Sequence, residues 1–226
     1  EQMCELATSM GRIKHGVDAW EGSPGAPFAI GRGYQARSRE IHRRQHLDEL
    51  PVDKLEVLHT EAAAFAAAYE LVRIVGSAPA ELLDGLAGLT TAINDAPLDD
   101  LDIEDEVSSP ERVRNYEAAR IGSGERLYRL VARHRETGAL AGHTIVVVEG
   151  ERPWIGFQHD TAVAREHRGH RLGLLLKSAM NLWLADVEPQ LRTIDTWNAE
   201  SNDHMVEVND VLGYRWMGRV LAFQRP

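Results

Sequence analysis

Leu55, Leu58, Ala62 and Phe65 recur at three- and four-residue spacing, which predicts a helix that follows a loop around Pro51 and ends near Ala68. Residues 69–75 then read as a strand. Ser77 and Pro79 supply a cap and a first-turn proline for a helix through Leu82, Leu86, Leu89 and Ile93. Ser109-Pro110-Glu111 repeats that start signal for a helix to about Arg120. Residues 127–134 and 141–148 are rich in β-formers and flank Glu136-Thr-Gly138, which predicts a hairpin. Residues 156–163 read as a further strand. Leu172, Leu175, Leu176, Ala179, Leu182 and Trp183 keep helical spacing until Pro189 stops it. A strand at 192–197, a short helix at 202–212 with Met205, Val208 and Leu212 on one side, and a strand at 215–223 complete the pattern.

Alternation of strands and helices, with a hairpin near its start, predicts an α+β (α/β) sheet domain over 69–226, preceded by a connecting helix at 48–68. Residues 1–47 stand apart. Glu21-Gly-Ser-Pro-Gly-Ala-Pro27 is dense in turn formers, and residues 28–34 contain Gly31 and Gly33 before the mixed-charge run 37–44. That order predicts a loop, a short element and a polar strand or helix, too small for a core of its own and so packed on something else. The chain starts at Glu1 with no initiator methionine and is read as a fragment of something longer.

Composition narrows the class. With 43% hydrophobic residues among 226, the chain can fill an ordinary globular core. No run approaches the roughly 18 to 20 apolar residues of a membrane helix, and no basic stretch with an apolar signal core opens the chain. Together with the single cysteine, Cys4, this predicts a cytoplasmic protein without disulfides or a thiolate metal cluster. The net charge of −10 disfavours a nonspecific nucleic-acid binder. The deficit sits in one place, since residues 48–110 carry 2 basic and 15 acidic side chains, and such a shift marks a boundary or a solvated connection.

The stretch 157–184 carries most of the chemistry: a strand, the basic turn Arg165-Glu-His-Arg-Gly-His-Arg-Leu-Gly173, then a helix. Unpaired amides and a partial positive charge at a helix start hold phosphates, and Gly169 and Gly173 allow close approach of the backbone. Arg165, Arg168, Arg171 and Lys177 add long-range attraction. The competing reading is a surface helix start with ordinary basic decoration.

Arg168-Gly-His-Arg-Leu-Gly173 resembles the Gln/Arg-x-x-Gly-x-Gly/Ala turn of the GNAT superfamily of acyl-CoA-dependent N-acyltransferases, with Arg171 in place of the middle glycine. Thr196-Trp-Asn198, Asn202, Met205, Asn209 and Leu212-Gly213-Tyr214 resemble that superfamily's next strand, short helix and turn into the last strands. The resemblance covers about 70–226. It implies a mixed, mostly antiparallel twisted sheet flanked by helices, acetyl-CoA as co-substrate, and contacts to it from Val163, Arg168, Gly169, His170, Arg171, Leu172, Gly173, Asn198 and Asn202. The Ala29-Ile-Gly-Arg-Gly-Tyr34 segment is similar to the same glycine-aromatic turn, which implies the tail of a first such domain; an N-terminal extension is the other reading.

The resemblance also implies His159 as the base, on the strand four residues before Val163, and an imidazole of ordinary pKa near 6.5 suits that task. A strand histidine turned to solvent is the alternative. Strand alternation places Asp160 on the opposite face. The position where the family carries its thiolate-protonating tyrosine is Asn209, which cannot deliver a proton, leaving water, Tyr214, Tyr116 or no acid at all. The acidic run 99–106 either attracts a cationic amine or is a solvated loop. His167 and His170 have no third ligand at a metal-binding spacing, so no metal is expected. The chain is therefore read as an N-acetyltransferase acting by direct transfer on a small-molecule amine, with no nucleic acid or membrane partner and with a homodimer allowed. A non-catalytic acyl-CoA-binding or structural domain and a phosphate-binding regulatory module are the alternatives.

Overall fold

The computed structural model of the chain describes residues 2–225. The elements run α1 (Gln2–Ser9), β1 (His15–Trp20), α2 (Gly25–Gly31), β2 (Gln35–His46), α3 (Val52–Phe65), β3 (Tyr69–Val75), α4 (Leu83–Thr91), α5 (Pro110–Gly122), β4 (Arg126–His134) and β5 (Leu140–Val148). They continue with β6 (Ile155–Val163), α6 (Leu172–Val187), β7 (Thr193–Ala199), α7 (Asp203–Val211) and β8 (Arg215–Arg225). All strands join one sheet of order β1-β8-β2-β7-β6-β5-β4-β3, antiparallel throughout except for β6 beside β7. This is the mixed, mostly antiparallel α+β architecture expected from the sequence.

Helices cover both faces of the sheet, and strand alternation shows how. Leu130 and Ala132 of β4 join the core that holds Leu55 and Ala62 of α3 with Leu176, Met180 and Leu184 of α6. Val131, between them, joins a second cluster with Leu86 of α4 and Val113 of α5. With both faces covered, β5 is buried along almost its whole length, His143 and Thr144 included. Ser109 caps α5 by accepting from the Arg112 amide at 3.2 Å, with Pro110 in the first turn.

The helix predicted from Ser77 and Pro79 forms differently. Residues 80–82 and 92–95 are 3-10 turns, α4 is only nine residues long, and Leu82, not Ser77, precedes it. Gly85 and Gly88 weaken the segment as a helix, and Gly85 lies where a Cβ would come within 2.7 Å of the Leu140 side chain. Sequence periodicity assigned no element before Glu21, where α1 and β1 are found.

The polar run 37–44 is a strand, and it lies inside the sheet. β2 pairs β7 on one side and β8 on the other. Its polar side chains find partners there: part-buried Arg44 binds Asp195 through two hydrogen bonds of 2.6 and 2.8 Å, and Arg43 pairs with Asp210. Gln45, fully buried, donates to the Leu212 carbonyl at 2.7 Å and accepts from Asn181 at 2.9 Å. Those partners lie far away in sequence, which is why alternation did not reveal the strand.

The units β1–α2–β2 and β7–α7–β8 repeat one another. Val17-Asp-Ala-Trp20 corresponds to Ile194-Asp-Thr-Trp197, and each short helix ends at a Gly-Tyr pair whose glycine, Gly33 or Gly213, is left-handed at φ 82° or 77°. The strands of the first 47 residues and those from Tyr69 to Arg225 thus share a single sheet. A chain beginning at Leu47 should lose cooperative thermal unfolding by circular dichroism, because β7 and β8 are then left with open edges in the sheet's middle. A sharp transition at the full chain's temperature would show that β2 is dispensable.

Candidate functional site

β6 and β7 pair over only three positions, Ile155 to Phe157 against Thr193 to Asp195, and then separate. The cause is visible in β6: Thr144 opposes Thr161 and Val146 opposes Gln158, so two residues, His159 and Asp160, face the single Ile145. Such a β-bulge bends the strand and re-aims its side chains. The strict alternation expected for His159 and Asp160 is broken there, and both line the cleft that opens between the strands. The cleft measures about 570 Å³ and is also lined by Phe157, Thr196, Asn198, Met205 and Lys177.

His159 is half-buried, and its Nδ1 lies 3.0 Å from the Tyr116 hydroxyl. Burial, with Arg120 adding to it, pushes its pKa down to about 4 rather than the ordinary 6.5. The ring is neutral at pH 7, able to accept a proton but a weaker base than an exposed imidazole. Burial raises the Tyr116 hydroxyl well above the usual phenol range, so it keeps its proton. Burial likewise raises the Asp160 carboxyl.

The basic turn follows directly from β6. Residues 165–167 form a 3-10 turn, Gly169 is left-handed at φ 84°, and Arg171 precedes α6, also left-handed at φ 54°. The middle position of the motif therefore does need the conformation glycine adopts easily, and arginine adopts it here. Its guanidinium stacks on Phe65, 4.2 Å from the ring centroid. The first intrahelical bond runs from the Leu175 amide to the Arg171 carbonyl at 3.0 Å, so the amides of Leu172, Gly173 and Leu174 have no intrahelical acceptor. Among the described residues no side chain caps this helix, and Cβ atoms added at Gly169 and Gly173 would meet nothing within 4 Å.

Several predicted residues do something else first. Arg165 and Arg168 both bind Asp95, at 2.7 and 2.6 Å, and these bonds hold the Asp95 carboxyl below the usual range. Arg168 also donates to the Val163 carbonyl at 3.2 Å. His170 packs 5.5 Å from the Tyr69 ring, while His167 Nδ1 lies 3.0 Å from the Tyr69 hydroxyl. No cluster of three metal-binding side chains occurs among the described residues. Asn202 caps α7, accepting from the Met205 amide at 3.2 Å. Asn198 bonds its neighbour's carbonyl and accepts from Asn209 at 3.2 Å.

The acidic run forms a pinned wall rather than a field of carboxylates facing the cleft. Asp99 accepts from Ser38 and Ser201, both at 2.6 Å, Asp102 binds Lys14 at 2.7 Å, and Glu106 binds Arg112 at 2.8 Å. Ile93, Leu98, Leu101 and Ile103 face the cleft instead. The residue that sequence reading misplaced is Lys177, taken as part of the turn's positive field. It is 2% exposed and donates to Asn209 at 2.7 Å. The signal was its position: Gly173, Lys177, Met180 and Leu184 fall on one stripe of an apolar helix, and an unpaired lysine there is rare.

No protein-family model and no curated protein matches the sequence. Among solved structures, the chain is similar to a tandem GNAT protein from the clavulanic acid biosynthesis pathway, with a TM-score of 0.76 and 30% identity, over 97% of this chain and 66% of that one. This chain thus spans just under two-thirds of that protein. GCN5-related N-acetyltransferases from Sphaerobacter thermophilus (TM-score 0.65, 15% identity, 100% of this chain and 67% of that one) and Kribbella flavida (0.60, 14%, 100% and 73%) share the fold. No helix among the described residues is long and apolar enough to cross a membrane.

The depressed histidine pKa has a defined consequence. Between about pH 6.5 and 4 the unfolded chain binds a proton at this position that the folded chain refuses, so the stability His159 contributes above pH 6.5 is lost as pH falls through about 4. Its ring resonances should titrate near pH 4 by nuclear magnetic resonance, and a midpoint near 6.5 would refute the buried placement.

Proposed function

We propose that this chain, placed in the GNAT superfamily by its fold, moves an acetyl group from acetyl-CoA directly to a small-molecule amine. The observation that carries the reading is the junction of the splayed cleft with the uncapped helix start. Thr161 lines the cleft, and three residues later Ala164 begins the turn. An extended ligand with an anionic end can lie along both.

Coenzyme A fits the residues present. Its pyrophosphate would take the open amides near Gly169 to Gly173, where the helix dipole favours negative charge. Its amide-bearing arm would lie against the edge of β6 beyond Phe157, where β7 no longer pairs with it. Bound there, acetyl-CoA supplies the activated acyl group as a thioester. With Arg165 and Arg168 engaged by Asp95, backbone amides rather than guanidiniums carry the anion contact.

His159 is the proposed proton acceptor for the incoming amine, its neutral ring held by Tyr116 at 3.0 Å. Glu40 and Asp160 give the cleft acidic side chains that suit a cationic amine, against the apolar wall of Leu98, Leu101 and Ile103. We read residues 1–47 as the closing unit of a preceding domain of the same kind. The repeat of β7–α7–β8 in β1–α2–β2, and similarity along 97% of the chain to a tandem protein, support that reading.

Calorimetry with acetyl-CoA, followed by a screen of amines for thiol release, tests the proposal. Gly173→Val should leave the fold intact, since space around that Cβ is open, and weaken acetyl-CoA binding about tenfold, the scale of losing a charge-assisted hydrogen bond. Unchanged affinity would remove the turn from the site. His159→Ala should lower kcat by about 10² to 10⁴ with affinity for acetyl-CoA preserved. Binding without turnover of any amine would leave a binding domain in place of an enzyme.

A further inference from the structure

Lys177 is the one cationic side chain among those lining the cleft. It reaches the cleft from α6, beneath the gap between β6 and β7, and is 2% exposed. An ammonium has three N–H donors. One goes to the Asn209 side-chain oxygen at 2.7 Å, and the nitrogen stands 4.6 Å from the centroid of the Tyr214 ring. Among the described residues no carboxylate pairs with it. A buried ammonium without a counter-ion is costly, so its presence at the cleft needs a compensating role.

Resting on the transfer reading above, we propose that Lys177 is the proton donor to the thiolate that leaves acetyl-CoA. As the amine nitrogen bonds the acyl carbon, the carbon–sulfur bond breaks and its electron pair stays on sulfur. Lys177 gives that sulfur a proton from Nζ, becomes a neutral amine, and regains a proton from water. The proton lost by the substrate nitrogen leaves through His159 to solvent, so protons balance over the cycle.

Three features make the lysine suitable. Burial lowers its pKa to about 7, below the roughly 8.5 of a free thiol, so transfer to sulfur runs downhill. Its acceptor is an amide, which orients the ammonium without neutralising it. The other groups around it are already committed or uncharged. On the β2 and β7 side, Arg44 and His42 hold Asp195, and Arg43 holds Asp210 of α7. Tyr214, before β8, keeps its proton because burial raises it far above the usual range, and its buried hydroxyl has no hydrogen-bond partner among the described residues. Across the cleft, burial raises the Asp160 and Glu40 carboxyls and lowers His159, and none of the three hydrogen-bonds to Lys177 among the described residues.

The first measurement needs no ligand: side-chain resonances of isotope-labelled lysine, assigned with Lys177→Met, should show Lys177 titrating near pH 7. Titration above about pH 9.5, the range of an ordinary lysine, overturns the proposal while leaving the transfer reading intact. Next, with coenzyme A bound, Lys177 should lose its proton before the thiol does as pH rises, so thiolate ultraviolet absorbance should appear only after the lysine has titrated; thiolate formed while Lys177 is still charged also overturns it. With a working amine, Lys177→Met should lower kcat by about 10² to 10⁴ while KM for acetyl-CoA changes less than about threefold. The wild-type kcat should fall as pH rises through about 7, and Lys177→Arg should lack that limb because a guanidinium does not give up its proton. Lys177→Met removes an unpaired buried charge at the loss of one hydrogen bond to Asn209, so its fold is checked by circular dichroism, and retained kcat in the folded variant counts directly against the lysine. A lysine that deprotonates before the bound thiol, without acylation of any amine, would uphold the lysine's acidity and overturn the transfer reading.

Discussion

Everything distinctive about this protein follows from two strands that pair briefly and then part. Parallel strands gain backbone hydrogen bonds only while they run side by side, so the loss of pairing after Phe157 leaves the facing edges of β6 and β7 open to the cleft. The bulge at His159 and Asp160 drives the separation and turns two ionisable side chains towards the opening. The rest of the fold prevents the gap from closing. α6 packs below it, α7 and the 93–103 wall border it, and the antiparallel neighbours β5 and β2 hold β6 and β7 from outside.

Holding β7 in place falls to a set of buried polar contacts. Arg44 grips Asp195 with two hydrogen bonds, His42 stacks on Trp197 with ring centroids 4.3 Å apart, and Gln45 ties β2 to α6 through Asn181. An apolar strand could supply as much burial, but it could slide. Paired charges at fixed positions penalise every other register, because a shift of one residue would leave Asp195 buried and alone. The same logic appears at the far side of the sheet, where Glu188 accepts from Arg126 at 2.5 and 2.9 Å and from Tyr128 at 2.5 Å.

Legibility in the sequence tracked how local the determining interactions are. From β3 onward most elements could be read, since α6 has a long apolar stripe, α5 has its Ser-Pro start, and the hairpin has its Thr-Gly turn. β2 was obscured because its arginines and glutamine meet partners more than 130 positions away, and β1 because an exposed edge strand carries little apolar pattern. In the site, the turn and His159 were legible as motif positions. Their electrostatic state was not: Asp95 reaches Arg165 and Arg168 only through the fold, and burial of His159 depends on α5 lying over it.

The turn shows how such a site tolerates a departure from its motif. A left-handed conformation costs a non-glycine residue about 1 to 2 kcal/mol, which alone would argue against arginine at position 171. Its guanidinium lies over Phe65, an interaction worth about 0.5 to 2 kcal/mol, so strain and stacking nearly cancel. The stacking also draws the side chain away from the amides of Leu172 and Gly173, towards α3. The backbone therefore keeps the left-handed shape a glycine would give it, while the positive charge is held against Phe65 of α3.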